Sequence, residues 1–202
     1  MSKEAAKYLT CSDPVLGRFI KKYEPVTLDP NNRITLFEAL VKSVIGQQLS
    51  GKAASSILGK LKDQIGGKKP ISPKKVLGTS FNQIRSAGVS QSKARTIVAL
   101  AQMTKDGDIP SARKMKGMSD EEIIEILTSV KGIGRWTVEM ILMFKLGRQD
   151  VMPTTDLGVR KGYSIILGCK ELAVPKTILE HSQKWSPYRS FVAKYCWEAA
   201  DG

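Results

Sequence analysis

Apolar residues recur along this chain at spacings of three and four positions, which is the repeat of an amphipathic α-helix. The repeat is clear in residues 36–45 and 90–107, and no stretch alternates convincingly with the two-residue period of a half-buried strand. Neither an internal repeat nor a low-complexity tract interrupts it. The pattern therefore predicts an all-α chain.

Residues that favour helix ends divide this pattern into separate helices. Ser12 is predicted to cap a helix that Pro14 opens, with apolar positions running on to Tyr23. Capping-box patterns at residues 35–38 and 119–122 predict two further helix starts. The remaining helices are predicted at about residues 52–65, 73 onward, 81–86, 90–107, 135–147, 157–167, 175 onward and 187–200.

Charge narrows the range of partners. The 202 residues include 32 Lys and Arg against 19 Asp and Glu, a formal net charge of +13 that suits a polyanion. Nucleic acid is the first candidate, and an anionic membrane is a weaker one because no apolar run approaches the roughly 18 to 20 residues of a spanning helix. No signal-peptide pattern opens the chain, so we expect a soluble intracellular protein, cytoplasmic in a prokaryote or nuclear in a eukaryote. A solvated lysine-rich face is the alternative explanation of the charge.

The cysteines indicate neither a disulfide framework nor a metal centre. Cys11, Cys169 and Cys196 are widely spaced, odd in number and form no CxxC pair. We therefore expect reduced thiols and no zinc or iron–sulfur site.

The segment Val130-Lys131-Gly132-Ile133-Gly134-Arg135-Trp136 has the pattern of a helix–hairpin–helix. Gly132 and Gly134 would permit backbone angles that a Cβ opposes, and would let a phosphate approach the amides that begin the next helix. Lys131 and Arg135 would flank that phosphate with positive charge. A tight link between two helices also uses glycine as a C-cap, which is the alternative explanation of these glycines.

These residues lead to a known family. The run from Lys131 to Met140, followed by Met152-Pro153-x-x-Asp156-Leu157-Gly158-Val159-Arg160, resembles the helix–hairpin–helix Gly/Pro-Asp DNA glycosylases, especially the 3-methyladenine DNA glycosylase II group. Residues 44–50, 88–94 and 185–190 also fit, so the resemblance covers roughly residues 10–198. It implies an all-α, two-lobed fold without an N-terminal β domain. We expect one lobe from residues 1–50 and 150–202, a middle lobe from residues 51–149 that carries the hairpin 130–134, and DNA in the cleft.

The resemblance assigns the catalytic carboxylate to Asp156. An ionised carboxylate would stabilise the oxocarbenium character of the sugar as the glycosidic bond breaks, and would orient the attacking water. Asp156 also precedes a predicted helix, so it is expected to act as an N-cap, a role compatible with the chemistry. Asp150 is the alternative carboxylate and is interpreted as an exposed loop residue. Thr155 stands where relatives often have Asp.

Related enzymes that also cut the DNA strand use a lysine at the position of Trp136, so the resemblance implies a monofunctional enzyme without lyase activity.

The resemblance also implies sites for the base and for the DNA. Trp136 and Tyr188 are the expected base-pocket aromatics, with Trp185, Tyr163 and Met140 as further candidates and core packing as the alternative for the aromatics. Gln48 and Leu49 match the family's plug and wedge, or else form a polar loop. Backbone contacts are expected from Lys131, Gly132, Ile133, Gly134, Arg135, Ser50, Lys52, Lys93 and Arg189.

Together these features predict a DNA glycosylase of base excision repair that removes alkylated purines such as 3-methyladenine and leaves an abasic site. The alternative is a non-catalytic helix–hairpin–helix protein that binds damaged or abasic DNA. We expect no cofactor and no catalytic metal, with the hairpin carbonyls as a candidate site for a monovalent ion. The expected partner is damaged double-stranded DNA, bound by a monomer with no membrane association. The range of lesions stays open at this stage.

Overall fold

The computed structural model describes residues 3–23, 25–67 and 70–202. These residues form helices connected by loops, with no strand among them, which confirms the predicted fold class. The chain divides into two compact units: a middle unit, Asn31–Ile141, and a terminal unit that comprises the described residues of Met1–Pro30 together with Leu142–Gly202. No helix within the described ranges is long and apolar enough to cross a membrane.

The helices are numbered in chain order. The terminal unit contains α1 (Lys3–Ser12), α2 (Pro14–Ile20), α11 (Leu157–Leu167), α12 (Pro175–His181), a 3₁₀ turn (Ser182–Trp185) and α13 (Arg189–Asp201). The middle unit contains α3 (Leu36–Gly46), α4 (Gly51–Gln64), α5 (Pro73–Leu77), α6 (Phe81–Ser86), α7 (Gln91–Asp106), α8 (Ala112–Met115) and α9 (Asp120–Thr128). The helix that follows the hairpin, α10 (Arg135–Phe144), begins in the middle unit.

The unit boundaries differ from the expected lobes. Residues 31–50 belong to the middle unit rather than to the unit of the chain ends, and residues 142–149 belong to the terminal unit. Residues 31–50 belong to the middle unit because α3 packs against α4 and α7. The Lys62 ammonium on α4 lies 2.6 Å from the carboxylate of the buried Glu38, and this ion pair joins α4 to α3.

The start of the chain corrects the predicted cap. Ser12 is the last residue of α1, a helix that was not predicted, and Asp13 is the N-cap of α2. The backbone N–H groups of Val15 and Leu16 donate to Asp13 Oδ1 at 3.0 and 3.2 Å. Pro14 occupies the first helical position, so the residue immediately before it must supply the cap. The short helix α8 and the 3₁₀ turn were also not predicted.

Most other helix ends agree with the predicted signals. The capping box at residues 119–122 is complete, and α6 and α11 have the predicted bounds. The box at residues 35–38 is only half formed, because Thr35 accepts the Glu38 N–H while the Glu38 carboxylate pairs with Lys62. The helix α10 ends at Phe144 rather than at residue 147, and α13 begins at Arg189 rather than at residue 187.

The closest packing in the terminal unit joins α11 and α13. A Cβ on Gly162 would overlap the carbonyl oxygen of Cys196, so the two helix backbones touch at this point. One turn earlier on α11, a Cβ on Gly158 would lie 2.7 Å from Cδ1 of Trp197. The two glycines therefore allow α13 to bring Trp197 against the start of α11.

Burial and the nearby charge of Asp156 raise the pKa of the Cys196 thiol well above its ordinary value.

Candidate functional site

The hairpin of the middle unit depends on Gly132. This residue has a φ of +96°, and a Cβ on it would overlap the hydroxyl oxygen of Thr96. The Thr96 hydroxyl in turn donates a hydrogen bond of 2.8 Å to the carbonyl oxygen of Lys131. Gly132 therefore meets both a conformational and a steric requirement.

Gly134 meets only one of the two expectations for the hairpin glycines. Its φ lies outside the left-handed region, and a Cβ on it would have no atom within 4 Å, so the expectation that it permits a backbone angle opposed by a Cβ is wrong. The absence of a side chain instead leaves the space beside the start of α10 open. The first N–H groups of a helix have no acceptor within the helix, so this open space gives an anion access to them.

The residues around the two glycines differ in how free their side chains are to bind a phosphate. The Ile133 side chain is buried and its N–H donates to the Val130 carbonyl at 3.0 Å, so Ile133 stabilises the turn, and its contact with the DNA backbone stays a prediction. The Lys131 side chain is exposed, and its ammonium makes no hydrogen bond or ion pair with another described residue. Arg135 is exposed, but its guanidinium donates to both carboxylate oxygens of Glu121 at 3.0 and 2.6 Å and to Glu139 at 3.3 Å. Lys131 is therefore the more available cation for a phosphate.

A tip between α3 and α4, residues 46–50, carries the predicted plug and wedge. Gln48 has a φ of +56°, a conformation that is rare for a residue with a side chain, and both it and Leu49 are exposed. Ser50 caps α4 by accepting the Ala53 N–H at 3.3 Å, and its expected contact with the DNA backbone stays a prediction. The tip thus presents two exposed side chains on a constrained backbone.

Two residues hold this tip in place. The side-chain amide of Gln47 donates to the Gly132 carbonyl at 3.1 Å and to the Thr137 hydroxyl at 3.2 Å. The Lys93 ammonium donates to the carbonyl oxygens of Ile45 and Gln47 at 2.9 and 2.7 Å, where its charge also complements the end of α3. Burial lowers the pKa of Lys93 below its ordinary value. Lys93 was expected to contact phosphate, and the structure gives it this supporting role instead.

The tip and the hairpin border one open depression of about 570 Å³ in the middle unit. Its lining includes Gln48, Leu49, Gly134 and Trp136. Trp136 projects from the first turn of α10 with 39% of its surface exposed, while Met140, one turn later, is half-buried. The expected plug, wedge and phosphate site thus share one surface with an exposed aromatic.

Lys52, at the start of α4, is exposed, and its predicted contact with DNA stays a prediction.

Asp156 is half-buried in the terminal unit and is the N-cap of α11. Its Oδ1 accepts the backbone N–H of Val159 at 2.8 Å, which confirms the predicted capping role. The same oxygen accepts the indole N–H of Trp197 on α13, also at 2.8 Å. Sequence reasoning missed Trp197. The four-residue spacing of Gly158 and Gly162, which permits close helix packing, is a signal that could have indicated such a neighbour.

Two of the expected pocket aromatics are core residues of the terminal unit. Trp185 is fully buried, and its indole N–H donates to Asp13 Oδ2 at 3.1 Å. Tyr163 is 4% exposed, and its hydroxyl lies 2.6 Å from Nδ1 of His181. Burial raises the pKa of Tyr163 to about 12. The expectation that Trp185 and Tyr163 line a base pocket is therefore corrected.

Tyr188 remains a candidate for base recognition. It is half-buried and packs edge to face against Tyr8, with 5.4 Å between the ring centroids. Tyr8 itself is 41% exposed, so this aromatic pair reaches the protein surface.

Asp150 and Arg189 form an ion pair that corrects both predictions. The Arg189 guanidinium donates to the two oxygens of Asp150 at 2.7 and 2.9 Å, and Ser186 donates to Oδ2 at 2.7 Å. Asp150 is thus not the exposed loop residue expected, and the charge of Arg189 is paired rather than held for a phosphate. Burial alone would raise the pKa of Asp150, but the hydrogen bonds from Arg189 and Ser186 and the charge of Arg189 bring it below its ordinary value.

Metal ligands of the usual kinds do not cluster in the described part of the chain. No group there contains three or more His, Cys, Asp or Glu side chains placed to hold a metal ion. At the hairpin, the Lys131 and Gly132 carbonyls accept hydrogen bonds from Thr96 and Gln47. A monovalent ion at these carbonyls stays a prediction.

Comparison with known proteins identifies the family. Residues 41–187 match the HhH-GPD superfamily of base excision DNA repair proteins, a stretch that contains the hairpin and Asp156 and ends before Tyr188. The chain belongs to the HhH-GPD superfamily. Among relatives, it is 37% identical to DNA-3-methyladenine glycosylase 1 of Schizosaccharomyces pombe, over 81% of this chain and 72% of that protein. It is 30% identical to an alkylbase DNA glycosidase-like protein of the same organism, over 97% and 92% of the two chains.

Solved structures of the superfamily agree with this assignment. The fold is similar to that of the S. pombe 3-methyladenine DNA glycosylase in complex with abasic DNA, with a TM-score of 0.86, 34% identity and coverage of 97% and 96% of the two chains. It is also similar to a DNA-3-methyladenine glycosidase from Bacillus halodurans, with a TM-score of 0.89, 34% identity and coverage of 98% and 90%.

Proposed function

We propose that this HhH-GPD protein is a monofunctional DNA glycosylase that hydrolyses the N-glycosidic bond of alkylated purines such as 3-methyladenine and leaves an abasic site. The observation that carries the proposal is the Asp156 carboxylate, held at the start of α11 by two N–H donors. The similarity to proteins named as 3-methyladenine DNA glycosylases supports the same substrate class.

Asp156 would stabilise the developing charge on the sugar. As the bond from C1′ to the base nitrogen stretches, the sugar gains oxocarbenium character, and a fixed carboxylate nearby lowers the energy of that state. The carboxylate would also orient the water that attacks C1′, while the departing purine takes the electron pair of the broken bond. Because hydrogen bonds from Val159 and Trp197 hold Oδ1, the carboxylate would need little reorganisation during the reaction.

Trp136 and Tyr188 would contribute to recognition of the damaged base. An alkylated purine can carry a positive charge, which the face of an aromatic ring attracts. The charge also weakens the glycosidic bond, so part of the selectivity would come from the substrate itself. The 39% exposure of Trp136 supports its role, because a fully buried indole could not meet a base without rearrangement.

Trp136 also accounts for the absence of lyase chemistry in this proposal. An indole cannot form a Schiff base with an abasic sugar, as a lysine amine would. The nearest lysine in sequence, Lys131, lies before the hairpin glycines and is the available cation for a phosphate. Incubation with abasic DNA and borohydride should therefore trap no covalent complex, and a trapped adduct would refute the monofunctional assignment.

DNA binding would begin with the hairpin and the tip of the middle unit. Lys131, the open space at Gly134 and the first N–H groups of α10 would bind a phosphate. Gln48 and Leu49 would enter the space that an extruded nucleotide leaves in the duplex. We propose that the chain acts as a monomer, in the cytoplasm of a prokaryote or the nucleus of a eukaryote.

The decisive experiment is to incubate the protein with methylated DNA and to identify the released base by chromatography. We expect release of 3-methyladenine by the wild type, and Asp156→Asn should abolish release while it retains affinity for abasic DNA. Asp13→Asn is the matched control, since Asp13 is also a helix N-cap that accepts an indole N–H, and it should retain release at a temperature where it is folded. Binding without release by the wild type would favour the non-catalytic alternative, and unchanged release by Asp156→Asn would refute the role of Asp156.

A further inference from the structure

We propose that Trp197 is a positioning residue, whose indole N–H sets the orientation of the Asp156 carboxylate for base excision. This inference rests on the proposed function, because it takes Asp156 as the catalytic carboxylate. Its direct observation is the 2.8 Å hydrogen bond from Trp197 Nε1 to Asp156 Oδ1. Trp197 lies on α13 and is 41 residues from Asp156 in sequence, outside the segment that matches the superfamily.

The two donors to Oδ1 come from different helices. The Val159 N–H belongs to the helix that Asp156 caps, so this bond is the ordinary N-cap interaction and occurs at many helix starts. The Trp197 indole reaches the same oxygen from α13. A carboxylate held by one donor can still rotate about its side-chain bonds, whereas two donors from separate directions restrict that rotation. The position of Oδ1 then determines the direction in which Oδ2 points.

The packing around Trp197 keeps the indole in this place. At Gly162 the backbones of α11 and α13 touch, which fixes the separation of the two helices. At Gly158 a Cβ would lie 2.7 Å from Trp197 Cδ1 and 3.1 Å from its Nε1, so the absence of a side chain makes the space that the indole fills. The indole also packs against Phe144, with 5.8 Å between the ring centroids. The indole is therefore confined where its N–H meets Asp156.

The terminal unit contains a second hydrogen bond from an indole to an N-cap aspartate, between Trp185 and Asp13, and this pair has a structural role only. Trp185 donates to Asp13 at 3.1 Å, but both residues are buried, and Lys184 lies 3.0 Å from the same aspartate. The Lys184 ammonium compensates the buried charge of Asp13, and the indole N–H satisfies one of its oxygens in the core. Asp156 and Trp197 are only half-buried, so their hydrogen bond joins the core to a carboxylate that water reaches. The two pairs provide a matched comparison within one molecule.

The test compares Trp197→Phe with Trp185→Phe. Each replacement keeps an aromatic ring and removes one N–H donor to an N-cap aspartate. The readouts are the single-turnover rate of 3-methyladenine release, the dissociation constant for abasic DNA and the melting temperature. A hydrogen bond to a charged group contributes about 1.5–3 kcal/mol, so Trp197→Phe should slow release about 10- to 100-fold with the dissociation constant unchanged.

The split between rate and binding separates a positioning role from a structural one. Loss of the indole donor should lower the single-turnover rate of base release while the dissociation constant for abasic DNA stays as in the wild type. Trp185→Phe should lower the melting temperature and leave the rate per folded molecule as in the wild type. If Trp197→Phe matches the wild type in rate, or loses rate only in proportion to its unfolded fraction, the proposal is wrong.

A second variant keeps the test decisive if Trp197→Phe does not fold. Gly158→Ala retains both side chains and favours the helix, but its Cβ would lie 2.7 Å from Trp197 Cδ1 and 3.1 Å from Asp156 Oδ1, so the hydrogen bond between the two side chains must be disturbed. It should show the same loss of rate, and a wild-type rate would overturn the proposal. Different results would contradict the proposed function itself. These are a wild-type protein that releases no base, or an Asp156→Asn variant that still releases base.

Discussion

The side-chain amide of Gln47 donates a hydrogen bond of 3.1 Å to the carbonyl oxygen of Gly132, although the two residues are 85 positions apart in the sequence. This bond joins the tip that carries Gln48 and Leu49 to the hairpin. The second bond of the amide, to the Thr137 hydroxyl, extends the connection into α10. The residues proposed to enter the duplex and those proposed to bind its backbone therefore belong to one hydrogen-bonded structure.

Replacement of Gln47 should loosen this structure. Gln47→Ala removes two side-chain hydrogen bonds, with an expected loss of about 1–2 kcal/mol in the free energy of unfolding. Amide hydrogen exchange at residues 130–134 should become faster, and affinity for abasic DNA should fall. Gln48→Ala is the control for stability, because the Gln48 side chain has no hydrogen bond within the described residues, and it should leave exchange at the hairpin unchanged. Equal exchange rates in the two variants would show that Gln47 does not stabilise the hairpin.

The two hairpin glycines should respond differently to alanine. Gly132→Ala must adopt a left-handed φ and displace Thr96, so it should lose about 1–3 kcal/mol of stability and bind DNA poorly. Gly134→Ala meets no neighbouring atom, so its melting temperature should be that of the wild type while its affinity for DNA falls. Thermal unfolding and fluorescence anisotropy measure the two effects. Full DNA affinity in Gly134→Ala would contradict phosphate binding at this position.

The ion pair between Asp150 and Arg189 predicts a dependence of stability on pH. Because the pKa of Asp150 is lowered in the native state, its contribution is fully present above the ordinary carboxyl value of about 3.9 and is lost as the pH falls through the native value. Asp150→Asn should therefore be less stable than the wild type by about 1–3 kcal/mol at pH 7, and the difference should shrink below about pH 4. Denaturant unfolding at several pH values checks this, with the exposed Asp108→Asn as the control. A difference that does not vary with pH would contradict the ion pair.

Binding to DNA should weaken steeply as salt increases, and Lys131 should account for part of the slope. Lys131→Ala removes an unpaired cation, so the slope of log K against log salt should fall by about 1. Arg135→Ala should change the slope less, because Glu121 already compensates the charge of Arg135. Titrations of undamaged duplex at several salt concentrations measure both slopes. A flat salt response in the wild type would count against phosphate binding by the hairpin.

Local signals in the sequence were sufficient for most of the helices. The bounds of α6 and α11 follow from apolar periodicity and a polar cap within a few residues, and the capping box of α9 formed as predicted. The errors at the N-terminus have a local cause too. Ser12 and Asp13 are both good caps, and only the fixed place of Pro14 at the first helical position decides between them.

Predictions for single side chains were less successful when they depended on distant partners. Lys93, Arg135 and Arg189 make hydrogen bonds within their own units that the sequence did not indicate, and their contacts with phosphate stay predictions. Trp185 and Tyr163 were expected in a pocket, and both are buried in a core. A lysine, arginine or aromatic residue has the same appearance in a sequence whether its partner is DNA or another part of the protein.

By itself, the sequence determined the helical fold class and the hairpin with its glycines, because these depend on residue types at short spacings. Its resemblance to known glycosylases indicated the superfamily and the candidate carboxylate Asp156. Only the tertiary structure decided that Gln47 connects the tip to Gly132 and that Trp197 meets Asp156. These contacts join residues 85 and 41 positions apart. They exist because helix packing brings distant side chains together, most closely where Gly162 lets α11 and α13 touch.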